Sequence, residues 1–268
     1  MLAFAGNSIL CRMALTDGAI DPASFTAVRL AAGALTLALV ARFSRHHTGI
    51  RSHGNAWSAA MLFLYAIAFS YAYVTLSAGT GALILFGFVQ ATMIAWGLRT
   101  GERPDVRSWV GWIVAVTGLI WLLMPGVNAP PAAGALLMAL AGVAWGVYSL
   151  RGRSASDPLL STSANFSLSL ACVVVLVAVT VHDAALTRRG IALAILSGAV
   201  TSGLGYVLWY AALNYLTPMR AAIVQLSVPA IAAVGGLFLL NEPVSIRLAI
   251  STALVLGGIW IAVSRKPT

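Results

Sequence analysis

Acidic side chains are scarce in this chain of 268 residues: there are seven Asp and Glu, and only Glu102 and Glu242 are glutamates. None of the seven (Asp17, Asp21, Glu102, Asp105, Asp157, Asp183 and Glu242) falls in the middle of an apolar run. A charge in hydrocarbon is tolerated only for function, and a cation/proton antiporter keeps a carboxylate there to bind its cation, so this absence disfavours an organic-cation antiporter of the short, single-glutamate multidrug type. Cysteine is almost missing as well. Cys11 and Cys172 each lie inside an apolar run with no CxxC neighbour, which leaves no basis for a disulfide framework or a metal site. The four histidines, His46, His47, His53 and His182, sit in or beside loops. With no buried Ser-His dyad, HExxH or GxxxxGK[ST], an intramembrane protease, a zincin and an NTPase all lack their parts, and no cofactor is expected. MLAFAGNSIL carries no basic n-region, so a cleavable signal peptide is not expected.

Apolar side chains are plentiful. Hydrophobic residues make up 60% of the chain and charged ones 9%, against roughly 25% charged in a soluble domain. The mean hydropathy is +0.93. Runs of about 20 apolar residues match the length an α-helix needs to cross a bilayer, and they lack the alternation of barrel strands. The expected fold class is an all-α membrane protein. Pro, Gly, Asn and charge punctuate the chain into ten spans, near 1–15, 23–43, 55–75, 80–98, 106–124, 131–150, 159–181, 190–213, 219–240 and 245–264. The first would be only about 22 Å long, so the chain is expected to start inside its first helix.

The net charge of +9 has the pattern of topology information rather than of nucleic-acid binding. Loops after even-numbered spans and the C-terminus hold eleven Arg and Lys (Arg42, Arg45, Arg51, Arg99, Arg103, Arg107, Arg151, Arg153, Arg220, Arg265 and Lys266). The other side holds three, Arg188, Arg189 and Arg247. Cytoplasmic loops carry the excess, so both termini are expected in the cytoplasm and the chain in a bacterial inner membrane. The expected partners are the lipid bilayer and a small-molecule solute, with no nucleic acid. The expected assembly is a monomer, with a dimer as the alternative.

Sliding the chain by 140 residues superposes Gly6 on Gly146, Leu76 on Leu216, Ala82 on Ala222, Glu102 on Glu242, Arg107 on Arg247 and Gly118 on Gly258. Both glutamates thus fall in equivalent gaps, between spans four and five and between spans nine and ten. Two halves of five spans follow, 1–128 and 129–268, and an odd number forces the second half to enter the membrane from the opposite side. An inverted repeat is a hallmark of secondary transporters.

The segments YVTLSAGTGALILFGFVQATMIAWGLRTGERPDVRSWVGWIVAVTGLIWL and YAALNYLTPMRAAIVQLSVPAIAAVGGLFLLNEPVSIRLAISTALVLGGIWIAV carry a further signal. Each has a small-residue entry to a helix, a lone Glu and a glycine in the next helix, and each resembles the EamA-type domain of the drug/metabolite transporter superfamily. VAWGVYSL and PASFTAVRLAAGAL resemble that family's sixth and second spans. The first half departs from the pattern, with Ala5-Gly6 where the second has Trp145-Gly146, and FGFVQ where the second keeps Pro229. The resemblance implies ten helices and export or exchange of small organic metabolites, amino acids including aromatic ones among them.

Polar and aromatic residues gather on a few faces. Tyr206, Trp209, Tyr210 and Asn214 share one face of span eight by their i, i+3, i+4, i+8 spacing, and Tyr65, Phe69 and Tyr73 form a stripe in span three. Asn7, Gln90, Trp145, Tyr148 and Gln225 lie near mid-span elsewhere. Together they would line an amphipathic cavity that stacks an apolar or aromatic group and hydrogen-bonds a zwitterionic end. Interface aromatics and helix-joining glutamines are the plainer alternative for each residue.

Arg12 or Arg29 could attract a substrate carboxylate, but both lie near the outer end of their spans, where long side chains snorkel to the headgroups, so a structural role is expected for both. Gly79, Gly81, Pro218 and Pro229 are candidate hinges. Glu242, directly before Pro243, is expected to mark the start of span ten, away from the central cavity, with its charge favouring that helix N-terminus. The expected function is a transporter moving a small neutral or zwitterionic organic solute, amino acids first among them, through a central cavity by alternating access. Other metabolites or drugs carried by the same fold are the alternative, ahead of a membrane enzyme or an anchor.

Overall fold

Asp21, Asn55, Asp105 and Asp157 each stand directly before an apolar run. In the computed structural model each side chain accepts a hydrogen bond from the amide three residues on, of Ser24, Ser58, Ser108 and Leu160 respectively. These bonds satisfy amides that the first helical turn leaves unpaired, and the prolines at 22 and 158 occupy a position that lacks an intrahelical partner anyway. The structure describes residues 1–43, 54–101, 103–152, 155, 157–213, 224–225 and 227–263. Asn214, Pro218, Arg220 and Glu102 lie outside the described residues.

The helices are α1 (Leu2–Thr16), α2 (Pro22–Phe43), α3 (Ala56–Tyr73), α4 (Ala78–Arg99), α5 (Val106–Leu123), α6 (Ala132–Gly152) and α7 (Pro158–Thr180). Then come α8 (Arg188–Leu196), a π-helical stretch Ser197–Leu204 and α9 (Gly205–Leu213), which run on without a break, followed by α10 (Ser227–Leu240) and α11 (Ile246–Val263). Among the described residues, seven segments are long and apolar enough to cross a membrane: α2 to α7 and the joined stretch Arg188–Ala212. Three shorter apolar helices, α1, α10 and residues Ile246–Ala262 of α11, complete the set. The chain is thus a multi-pass integral membrane protein.

Lipid offers apolar side chains no reason to leave it, so helices in a bilayer associate where small residues let backbones approach. The buried residues of α5 are Ser108, Gly111, Ala115, Gly118 and Leu122, one narrow stripe at helical spacing. It packs on α11, where Gly258 faces the backbone of Gly111 and Ala115. Elsewhere α3 and α4 both pack on α6, while α8 and α10 both pack on α1. The α2 helix packs on α7 and on the π-helical stretch, and α3 packs on α7.

The two ends of the bundle differ. Arg42, Arg99 and Arg151 occupy the last turns of α2, α4 and α6 at one end. A cavity of about 930 Å³ lies at that end between α3, α4, α6 and α7, lined among others by Ser58, Trp96, Arg99, Tyr148, Arg151 and Asn165. At the opposite end the loops are stitched together. Ile20 bridges Leu186, Thr187 donates from its amide and from Oγ1 to the Ala19 carbonyl (3.0 and 2.7 Å), and Arg189 pairs with Asp17 at 2.7 Å.

Asp21 belongs to that stitching: its Oδ2 accepts from the Ala185 amide at 3.0 Å. Burial pushes its carboxyl up, but hydrogen bonds from Ser24, Ala185 and Ala23 outweigh burial and hold it below its ordinary value of 3.8. A carboxyl depressed by folding contributes stability that is complete above its ordinary value and is lost as the pH falls through its folded value. Asp21→Asn is therefore expected to lower the thermal midpoint in detergent at pH 7, with the difference from the parent shrinking below about pH 4. An equal difference at pH 3 and pH 7 would sink the assignment.

Candidate functional site

Aromatic rings and hydroxyl groups from six elements meet between the two ends. Phe4 of α1 touches four rings: Trp145 at 5.8 Å, Tyr206 at 5.9 Å, Trp209 at 5.8 Å and Phe86 at 6.5 Å between centroids. Trp145 lies 4.7 Å from Tyr206, 5.0 Å from Tyr65 and 5.6 Å from Tyr148. Tyr65 in turn contacts Phe69 at 5.3 Å, and Phe69 contacts Tyr73 at 4.7 Å. Edge-on and tilted pairs of this kind each add about 0.5–1.5 kcal/mol beyond the area they bury. Because Tyr148 also lines the 930 Å³ cavity, the ring cluster reaches from that cavity to the middle of the bundle.

A polar seam runs along the cluster. Asn7 Oδ1 accepts from Ser197 Oγ at 2.6 Å and from Thr201 Oγ1 at 3.3 Å, and Asn7 Nδ2 donates to the Tyr65 hydroxyl at 3.2 Å. The π-helical stretch SGAVTSGL makes this seam accessible. Gly198 abuts the Arg29 carbonyl of α2, where any Cβ would collide, so the wide turn lets α2 come close and brings Ser197, Thr201 and Ser202 to its surface.

Arg29 does not snorkel. Its side chain is 1% exposed, with Nε donating to Ser202 Oγ at 3.1 Å and Nη2 to the Tyr65 hydroxyl at 3.1 Å. Its guanidinium carbon stands 5.1 Å from the Tyr65 ring centre and 5.0 Å from that of Phe69, within cation–π range. Neighbouring hydroxyls and rings, which no reading of α2 alone supplies, hold it inside.

Arg12 and Glu242 are also placed by the fold rather than by their own helices. Arg12 Nε donates to Glu242 Oε1 at 2.8 Å, and Arg12 Nη1 donates to the carbonyls of Tyr73 and Val74 at 2.9 Å each. Glu242 Oε2 accepts from the Ala78 amide at 2.8 Å. The carboxylate therefore caps the N-terminus of α4, whereas the sequence reading expected it to favour its own following helix. Ser245 takes that place, accepting from the Leu248 amide at 3.1 Å at the start of α11. Asn241 turns the chain with φ of 53°, which aims Glu242 back across the bundle.

Of the residues singled out from the sequence, Asn7, Tyr65, Phe69, Trp145, Tyr148, Tyr206 and Trp209 join the cluster. Tyr73 belongs to the stitched end, where its hydroxyl donates to the Ala78 carbonyl at 3.3 Å. Tyr210 is buried with its hydroxyl against Gly152. Gln90 and Gln225 are buried, and neither Gln90 Nε2 nor Gln225 Oε1 has a hydrogen-bond partner among the described residues. Among the hinge candidates, Gly79 packs against Ala233, Gly81 lies against the Tyr73 ring, and Pro229 is buried in α10. Phe4, Ser197, Thr201 and Ser202 also belong to the cluster, although nothing in their spacing singles them out. A cue existed in SGAVTSG, where two glycines and three hydroxyl residues interrupt an apolar span.

The profile of the EamA-like transporter family matches residues 132–264. An uncharacterized protein of Pseudomonas aeruginosa is 52% identical over 99% of this chain and 92% of its own length. The uncharacterized transporter YoaV of Bacillus subtilis is 20% identical over 90% of this chain and 87% of its own. An uncharacterized transporter of Archaeoglobus fulgidus is 24% identical over 72% of this chain and 70% of its own. A solved crystal structure of a protein is similar in fold, with a TM-score of 0.67 at 17% identity, covering 97% of this chain and 95% of that one.

Proposed function

Because the chain belongs to the EamA-like transporter family of the drug/metabolite transporter superfamily, we propose that this membrane transporter moves small neutral or zwitterionic organic solutes, amino acids including aromatic ones first among them. The observation that carries this reading is the ring-and-hydroxyl cluster of Asn7, Tyr65, Trp145 and Tyr206. It adjoins an open cavity on one side and a tied end on the other. Such a site stacks an apolar or aromatic side chain while amide and hydroxyl groups meet the polar end of the solute.

Alternating access between two inverted five-helix halves, residues 1–128 and 129–268, is the mechanism we propose. Packing supports it, because the helix pairs come in matched sets: α3 on α6 with α8 on α1, and α4 on α6 with α10 on α1. A finer correspondence lies at the α5–α11 crossing. A Cβ on Gly118 would stand 3.0 Å from the Val255 amide, and one on Gly258 would stand 2.5 Å from the Ala115 amide. These two contacts exchange under the same 140-residue shift. With the arginine-rich end in the cytoplasm of a bacterial cell, both termini face inward, the cavity opens inward, and the Arg12–Glu242 tie closes the outside. Gly79, Gly81 and Pro229 are the sites we assign to bending between states.

Trp145→Ala and Tyr206→Ala are each expected to lower amino-acid flux in proteoliposomes about tenfold or more, as loss of a stacking wall does. Each variant should remain monodisperse in detergent. Parental flux in both variants would remove the cluster from the transport path.

A further inference from the structure

Within that transport reading, on which this inference rests, Arg29 has an excess of donors over acceptors. A guanidinium offers five N–H groups and no acceptor. Nε is used by Ser202 Oγ and one Nη2 hydrogen by the Tyr65 hydroxyl, each at 3.1 Å, and the buried Nη1 has no hydrogen-bond partner among the described residues. Among the described residues no carboxylate pairs with Arg29; Glu242 pairs with Arg12 and Asp17 with Arg189. The rings of Tyr65 and Phe69, both within cation–π range, offset part of the charge, but a ring face supplies no oxygen to a guanidinium N–H.

The surroundings add donors rather than acceptors. The Tyr65 oxygen already accepts from Arg29 and from Asn7, so its own O–H is left to donate. The buried Tyr206 hydroxyl has no hydrogen-bond partner among the described residues. Asn7 Oδ1, the nearby amide acceptor, already takes the Ser197 hydroxyl proton at 2.6 Å and lies 3.3 Å from Thr201 Oγ1, whose shorter bond goes to the Ser197 carbonyl. A buried cation surrounded by unused donors lacks an anion with two oxygens, and a carboxylate meets a guanidinium in that geometry.

We propose that Arg29 docks the carboxylate of the transported solute, with the aromatic cluster holding the solute's apolar or aromatic part. The site recognises the carboxylate and not the ammonium group. An aromatic amino acid and the same molecule without its amine therefore both bind, and the amine without a carboxylate does not. A buried guanidinium without a counter-ion is costly in a membrane, and completing it with the solute's charge makes binding selective.

Three probes test this on the purified full chain: L-phenylalanine, 3-phenylpropanoate and 2-phenylethylamine, each measured by thermal shift and by competition for flux in proteoliposomes. The expected result is stabilisation and competition by the first two and none by the third. Arg29→Gln is expected to weaken both carboxylates about tenfold or more, and Arg29→Lys less, since a charged donor is retained. Because Arg29→Gln leaves a buried site altered and could fail to fold, the probe series on the parent protein stands as a second measurement. Binding of 2-phenylethylamine as tight as that of 3-phenylpropanoate overturns the proposal, as does an unchanged affinity of folded Arg29→Gln for the carboxylates. Carriage of cationic or uncharged solutes alone overturns it while leaving the transporter reading intact, and absence of flux for every solute class overturns both.

Discussion

Glu242→Ala is expected to destabilise the protein by about 3 kcal/mol and to unlatch its stitched end, because one carboxylate serves two partners there. It pairs with Arg12 at 2.8 Å and accepts from the Ala78 amide at 2.8 Å. Removing it leaves a cation whose side chain is only 16% exposed beside two carbonyls, with no counter-charge. Breaking a buried pair costs about 3–5 kcal/mol, and this partial exposure favours the lower end. Glu242→Gln retains an oxygen for the Ala78 amide and loses only the charge, so its fall in stability should be smaller. Arg12→Ala combined with Glu242→Ala should cost less than the sum of the single changes, since contacting residues couple by about 0.5–3 kcal/mol. The functional readout is labelling of a cysteine introduced at Thr80, which should quicken from the Glu242 end in the Glu242→Gln variant. Additive stabilities and unchanged labelling would show that the pair does not hold this end shut.

Gly258→Leu is expected to abolish the folded state, while Gly257→Ala one residue earlier is expected to be neutral or mildly stabilising. A Cβ on Gly258 would stand 2.5 Å from the Ala115 amide nitrogen and 2.5 Å from the Gly111 carbonyl oxygen. Both obstacles are backbone, which cannot rotate aside, so α5 and α11 must separate along their whole crossing. Overpacking against side chains costs about 1–3 kcal/mol, and a backbone collision should exceed that. A Cβ on Gly257 meets nothing within 4 Å, and alanine in a helix gains up to about 1 kcal/mol over glycine. Thermal unfolding in detergent compares the two. Similar midpoints for Gly258→Ala and Gly257→Ala would contradict the close crossing.

Much of the helical plan was legible along the chain. The expected run 106–124 corresponds to α5 over Val106–Leu123, and 131–150 to α6 over Ala132–Gly152. Asp105 and Asp157 announce helix starts because a short acidic side chain bonds the third amide of the next turn whatever the tertiary context. The aromatic spacing in span three likewise placed Tyr65 and Phe69 on one face, and the two rings lie 5.3 Å apart. Which of those faces would meet was not legible. Tyr73, the last residue of α3, follows the same stripe yet bonds Ala78 at the stitched end.

The sequence by itself determined the membrane class and the approximate limits of helices such as α5 and α6, because these depend on the length of apolar runs and on caps within one turn. Only the tertiary structure decided the fate of the charges. Glu242 lies 230 residues from Arg12, and Ser202 lies 173 from Arg29. Whether an arginine snorkels or turns inward depends on the acceptors that other helices bring within 3 Å or so of its nitrogens. No periodicity within its own helix carries that information.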